Sequence, residues 1–400
     1  MGAAPDILPA AAARVLVAGH VCLDVIPALA GPADFAPGAL TEIGPADMST
    51  GGAVANTGLA LHRLGVPVRL MGKVGDDLLG RAVLEALRSH DAALADGMIV
   101  AAGEATSYSI VISPPGVDRS FLHCPGANDT FVAGDVRDDE LGAAQLLHFG
   151  YPPLMRRMYL DTGAELQRLL ARARGAGPAT SLDLCRPDPL SDAGRVDWRL
   201  LLERTLPLVD VFAPSLDELL FMLDPAAHGR LPAGAAPAET IGGGRLAALA
   251  GQLLDWGATV VAIKLGDRGL YVRTSAAPGP IGRFCARLGL NAAAWRDREV
   301  LSPCFQPRRI AGTTGAGDCT IAGLLAALCR GEEPVTAATS ATAVGACSVE
   351  APDATSGVPR WEEVAARLQA GWPRLPSAVG LGRAGALTQT DPLGTLSSVR

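Results

Sequence analysis

The chain has 400 residues, 49% of them hydrophobic, enough to bury one large α/β core or two smaller ones. Its formal net charge is -7, and its 34 basic residues, all arginine except Lys73 and Lys264, are scattered without a basic block, so nucleic acid has no electrostatic footing. Eight cysteines without a C-x-x-C pair, no signal-peptide pattern and no run of about 18 apolar residues argue against a zinc framework and a membrane span, and for a cytoplasmic protein with reduced thiols.

Residues 1–13 and about 376–400 are rich in Ala, Gly, Pro, Ser and Thr without sustained periodicity, and read as flexible tails around one domain over 14–370. Short apolar runs at 15–18, 68–71, 146–149, 181–184, 209–212 and 259–263 read as buried strands. Helical spacing follows most of them, as in 52–64, where Val54, Leu61 and Leu64 share a side, and in 166–174. That alternation predicts an α/β fold with a mainly parallel sheet sandwiched by helices. Two segments punctuated by Pro and Gly, 24–50 and 104–125, carry alternating runs and predict a small β lid on the body. Residues 224–244 read as a surface loop. The stretch 276–307, with Trp295 and Phe305, fits an insertion near a ligand or a subunit contact, and the oligomeric state, a homodimer included, stays open.

The most informative motif is Gly312-Thr-Thr-Gly315-Ala316-Gly317-Asp318, which runs directly into a helix whose Ile321, Leu324, Leu325 and Leu328 share a face. The amides that open a helix have no intrahelical acceptor and carry the positive end of its dipole, so they suit a phosphate, and glycines let it come close. A carboxylate at 318 can then accept the proton of an attacking hydroxyl while the amides of Ala316 and Gly317 hold phosphoryl charge. The competing structural account is a plain helix start with Asp318 set favourably in the dipole. No G-x-x-x-x-G-K-[ST] exists, and G-x-G-x-x-G fails because Thr320 takes the third glycine position.

Other clusters are weaker alone. Gly51-Gly52-Ala-Val-Ala-Asn56 opens the helix after the first lid segment, and the Asn56 carboxamide can both donate to and accept from a hydroxyl. Asp24 lies just past the first strand, where open parallel sheets bind ligands. Gly72-Lys73-Val-Gly75-Asp76-Asp77 fits a ligand loop or a turn capping the next helix equally well. Lys264 ends a strand, and Gly266 and Gly269 turn the chain into the next one. Ser215 and Glu218 have the spacing of a capping box; the functional alternative is that Glu218 holds water on Mg2+ beside ATP phosphates.

Together and in this order the motifs resemble those of the PfkB carbohydrate kinase family, with its ribokinase-like fold, over roughly 14–370. Gly51-Gly52-x-x-x-Asn56 with Leu64-Gly65 is similar to that family's N-terminal signature and Thr314-Gly315-Ala316-Gly317-Asp318 to its C-terminal one. The resemblance implies an ATP-dependent kinase acting on a hydroxyl of a sugar or sugar-like molecule, with Asp318 as base and Gly315, Ala316 and Gly317 as its anion hole. It further implies Asp24, Gly51, Gly52 and Asn56 on the substrate, Lys264, Gly266, Gly269 and Ser215 near ATP, and Glu218 toward Mg2+ through water. Two positions depart from the family pattern. Gly312 replaces a carboxylate linked to monovalent-cation activation, which puts potassium dependence in doubt, and Ser215 replaces an asparagine. A nucleoside kinase of the same fold and a catalytically weak ligand sensor are the alternatives.

Overall fold

A parallel strand covered on both faces needs apolar residues at every position, and β1 (Val15–Gly19) meets that demand: Val15 and Val17 enter one core, Leu16 and Ala18 the other. The computed structural model describes residues 15–114, 119–231, 237–376 and 389–398. In it β1 joins a ten-stranded sheet with β4 (Val68–Met71), β9 (Leu146–Gly150), β10 (Ala179–Leu182), β11 (Val211–Phe212), β12 (Val260–Lys264), β13 (Leu270–Thr274), β14 (Glu299–Ser302), β15 (Gln389–Thr390) and β16 (Leu396–Ser398). The order is β4-β1-β9-β10-β11-β12-β13-β14-β16-β15. Pairing is parallel from β4 to β12 and antiparallel beyond it.

That direction places the functional residues. The carboxyl ends of β1, β9, β10 and β12 lie along one edge, with Gly19 opposite Gly150 and Phe149 opposite Leu182. The chain leaves β1 for β4 on one side and later places β9 on the other, so a crevice opens at this switch point. His20, Tyr151 and Asp183 follow three of those strand ends, and Lys264 closes a fourth.

Helices Gly52–Arg63, Ala316–Cys329 and Pro334–Ser348 contribute to the first core; Ala164–Ala176, Leu216–Leu223 and Gly243–Asp255 contribute to the second. Ala316–Cys329 is buried almost all round, as its continuous apolar sequence requires. Each leucine it buries contributes roughly 1.5–3 kcal/mol, so the turn preceding it stands on a stiff base. A separate four-stranded sheet, order β3-β2-β7-β8, is built from β2 (Cys22–Pro27), β3 (Ala46–Gly51), β7 (Tyr108–Ile112) and β8 (Ser120–Cys124), within the segments expected to form a lid. A short parallel pair, β5 (Lys73–Gly75) and β6 (Ile99–Ala101), lies between them in sequence.

Four expectations change. The stretch expected as a C-terminal tail contains β15 and β16, and β16 pairs with β14. Arg374 donates to Ser302, Thr342 and Thr395, and this polar stapling leaves no apolar periodicity to read. The N-terminal tail, 1–13, lies outside the described residues. Within 224–244, taken as loop, Pro225–His228 and Pro237–Thr240 are single helical turns, the first capped by Asp224, with a proline already fixing φ at its start. The unplaced 276–307 supplies helix Pro278–Leu288 and β14, and Trp295 packs edge-on against Phe284 inside the core. The strand expected at 181–184 lies two residues earlier, which puts Asp183 just past its end.

Candidate active site

The turn at 312–318 does open a helix. Gly315 has φ +68°, and a Cβ there would lie 2.6 Å from the Ala354 Cβ, so both backbone and space demand glycine. Ala316, Gly317 and Asp318 form the first turn, whose amides have no carbonyl four residues back within the helix. Asp318 is only 2% exposed, yet its carboxylate is well partnered. Asn56 Nδ2 donates to Oδ2 at 2.9 Å, and the Tyr151 hydroxyl lies 2.8 and 2.9 Å from the two oxygens. Burial pushes the Asp318 carboxyl up; nearby Lys264 and the Asn56 and Tyr151 hydrogen bonds pull it back.

Lys264 runs beside this turn: a Cβ on Gly317 would lie 3.6 Å from its Nζ. The ammonium binds Asp183 Oδ1 at 2.7 Å. Burial opposes its charge, but Asp183 and then Glu218 outweigh burial and raise its pKa. Asp183 is fully buried, and its Oδ2 has no hydrogen-bond partner. Ser215 and Glu218 form the capping box, with Glu218 N donating to Ser215 Oγ at 3.2 Å and Ser215 N to Glu218 Oε2 at 2.7 Å. Two buried carboxylates, Asp183 and Asp318, and the half-buried Glu218 therefore surround one ammonium. Among the described residues no group of three or more His, Cys, Asp or Glu side chains could hold a metal by itself. An excess of negative oxygen donors lining a cavity suits a hard divalent cation that keeps water and takes phosphate oxygens as further ligands.

Two cavities meet at Asp318. The first, about 560 Å³, is lined by Gly52 and Asn56 of the body and by Asp24, Ser109 and His123 of the small sheet, with Arg119 beside them. Asp24 is 6% exposed; burial pushes its carboxyl up, opposed by hydrogen bonds from Cys22 and Ser109. Gly51 packs so closely that a Cβ would lie 2.4 Å from Asp24 Oδ2. His20 and His123 approach Nε2 to Nε2 at 3.3 Å; burial lowers both, His123 to about 4, so the pair is neutral at pH 7. Arg119 donates to Thr313 Oγ1 at 2.7 Å, tying the small sheet to the turn.

The second cavity, about 480 Å³, is lined by Ser215, Glu218, Lys264, Gly266 and Gly269 and, on its apolar side, by Phe305, Ile310 and Leu375. Tyr151, Thr313, Gly315 and Asp318 line both cavities and form the passage between them. Thus the sequence-expected residues converge, with Asn56 turning its amide to Asp318. Lys73 does not join them: it pairs with Asp135 at 3.1 Å, and Asp77 caps helix Leu78–His90, so the Gly72 to Asp77 segment is a short strand running into a helix cap.

Sequence reasoning missed Tyr151, Asp183, His20 and His123. Tyr151 has φ 64° and ψ 43°, a left-handed backbone that costs a bulky residue about 1–3 kcal/mol. Its signal was present in Gly150-Tyr151-Pro152-Pro153, a strand end followed by two residues that cannot extend it. The signal for Asp183 was a carboxylate closing an apolar run.

Sequence and structure comparisons show the family and the fold. The pattern of the family described as pfkB family carbohydrate kinase matches residues 12–361. The chain is 25% identical over 339 residues to a 2-dehydro-3-deoxygluconokinase of Bacillus subtilis, covering 83% of this chain and 90% of that protein. Its fold is similar to a ribokinase of Thermotoga maritima (TM-score 0.65, 19% identity, 89% of this chain and 99% of that one). It is also similar to a fructokinase of Xylella fastidiosa solved with ATP (TM-score 0.66, 20% identity, 90% and 99%). With a ribokinase-like fold and a match spanning most of its length, the chain belongs to the pfkB family of carbohydrate kinases.

Proposed function

We propose that this kinase transfers the γ-phosphoryl group of ATP to a hydroxyl of a sugar or sugar-like molecule, with Asp318 as general base. The observation that carries the reading is the position of Asp318, buried at a helix opening in the passage between a polar cavity and one with an apolar slot. Adenine suits the slot near Phe305, Ile310 and Leu375, which brings the phosphates past Lys264, Gly266 and Gly269 toward the Ala316 and Gly317 amides. Ser215 stays at the mouth as a helix cap, so the shorter side chain keeps the local fold and gives up reach.

In the polar cavity Asp24 and the Asn56 carbonyl accept from acceptor hydroxyls, while Gly51 and Gly52 let Asp24 and His20 pack close enough to shape its wall. One hydroxyl lies toward Asp318, which takes its proton as oxygen attacks in line. The first-turn amides then hold the charge that gathers on the phosphoryl oxygens. Glu218, through water, and Asp183 are the groups that would hold Mg2+, which supplies charge neutralisation on the phosphates when bound. Carboxylates, imidazoles and arginines around the first cavity favour a hydroxyl-rich or acidic acceptor over a nucleobase.

Potassium has little to hold here. A Cβ on Gly312 would lie 2.6 Å from the Pro352 carbonyl oxygen and 3.1 Å from that of Ala351, so the backbone is closed where the family's carboxylate would branch. The test is ADP release with ATP and Mg2+ across pentoses, hexoses, sugar acids and nucleosides, with and without potassium. We expect turnover with a sugar or sugar acid and the same rate in sodium and potassium salts. Ligand binding without ADP would instead support a sensor, and turnover confined to nucleosides would move the acceptor class.

A further inference from the structure

We infer that Tyr151 is a positioning residue for phosphoryl transfer: its hydroxyl locks the Asp318 carboxylate in one orientation and leaves an acceptor lone pair facing the polar cavity. The inference rests on Asp318 being the base. Geometry supports it from three sides. The Tyr151 hydroxyl reaches both carboxylate oxygens, at 2.8 and 2.9 Å, while Asn56 holds Oδ2 from another element at 2.9 Å. A carboxylate has about four acceptor sites, so these contacts fix its plane without filling it. Tyr151 also lines both cavities, at the point where acceptor and phosphoryl group must meet.

The backbone supplies the second line of argument. Tyr151 follows strand β9 and sits at φ 64°, ψ 43° between Gly150 and Pro152. Strain of this kind persists where the surrounding structure over-determines it, and it gathers at working sites. Here the left-handed residue turns the ring off the strand axis, 6.1 Å from the His20 ring and onto Asp318. Glycine would relieve the strain but would deliver no hydroxyl.

Electrostatics fixes the direction of the hydrogen bond. Burial, then the charges of Asp318 and Asp183, raise the phenol well above its usual range, so it stays protonated and donates. A donor to a carboxylate stabilises the ionised form and lowers its pKa. Deleting the hydroxyl therefore raises the Asp318 pKa and keeps the base protonated over more of the acid range.

The test compares Tyr151→Phe with wild type in full pH profiles, with Asp318→Asn alongside. For Tyr151→Phe, kcat at neutral pH is expected to fall about 10- to 100-fold, the effect of one hydrogen bond to a charged group. The acid limb of kcat/KM is expected to move up by about one pH unit, with KM for ATP held within about threefold. A profile that overlays wild type after scaling would overturn the inference, because loss of mere packing moves no pKa. Should Tyr151→Phe fail to fold, 3-fluorotyrosine at 151 keeps the shape with a more acidic hydroxyl. The limb then moves to lower pH if the inference holds, and an unmoved limb sinks it. Full turnover in Asp318→Asn would remove the base and the inference together. An inactive Asp318→Asn beside an unshifted Tyr151 variant would remove the inference alone.

Discussion

Asp318→Asn is expected to lower kcat by roughly two to four orders of magnitude, the usual scale of a lost general base, while acceptor and ATP still bind. The amide has nearly the size of the carboxylate and can still accept from Tyr151, so the cavity keeps its shape. What it cannot do is take a proton. The same variant is expected to melt at the same temperature as wild type or higher. Burial raises the Asp318 carboxyl above its unfolded value, so the native state binds its proton more tightly than the unfolded chain. Stability from this group is therefore present below the unfolded pKa and lost as pH rises through the folded one, and at neutral pH the ionised form costs stability. Removing the charge removes that cost. ADP release assays and thermal melts on the same preparation check both halves, and an active variant would defeat the assignment of the base.

Lys264→Met is expected to cost about 3–5 kcal/mol of stability, since it strips the cation from a buried ion pair. Lys264 Nζ lies 2.7 Å from Asp183, which is fully buried and has a second oxygen without a partner. Glu218 and Asp318 share the same field, so their mutual repulsion would go unopposed. Without the ammonium, Asp183 must take up a proton to stay inside. The sign follows: a carboxyl whose folded pKa is raised further makes the variant relatively more stable at low pH and less so as pH rises. Urea unfolding at acid and mildly alkaline pH should show a loss that widens with pH. The double variant Lys264→Met, Asp183→Asn should recover most of it, because replacing both partners removes the orphaned charge. A loss below about 1 kcal/mol, the scale of an exposed pair, would mean that the lysine is not balancing buried charge.

The two effects concern one design. A phosphoryl-transfer site must gather negative groups around a negative substrate, and the chain does so by setting two buried carboxylates and a half-buried one beside one ammonium and a helix opening. Each device opposes another: burial makes the base more basic, while Asn56, Tyr151 and Lys264 keep it ionised. The Asp318 carboxyl thus sits where burial and its hydrogen-bond partners pull in opposite directions, the kind of conflict tolerated where function needs it.

Local rules made much of this legible in the sequence. Apolar runs located the strands at 15–18 and 68–71 to within a residue of β1 and β4, because strands buried on both faces admit few polar residues. Glycine 315 had to be glycine for backbone reasons that a short window carries, and the Ser215-Glu218 capping box closes within four residues. The proposed roles of Asp318, its neighbouring amides and Glu218 were argued from such windows. The tertiary structure decided what depends on residues far apart: Asn56 meeting Asp318 across 262 positions, Tyr151 across 167, Lys264 meeting Asp183 across 81. It also decided that the strands near the C-terminus complete the sheet, since their partner β14 and the Arg374 staple lie elsewhere in the chain. Spacing along a chain reports periodic burial and turn geometry, which are local. A hydrogen bond between strand ends is set by which strands lie side by side, and that order is a property of the folded sheet.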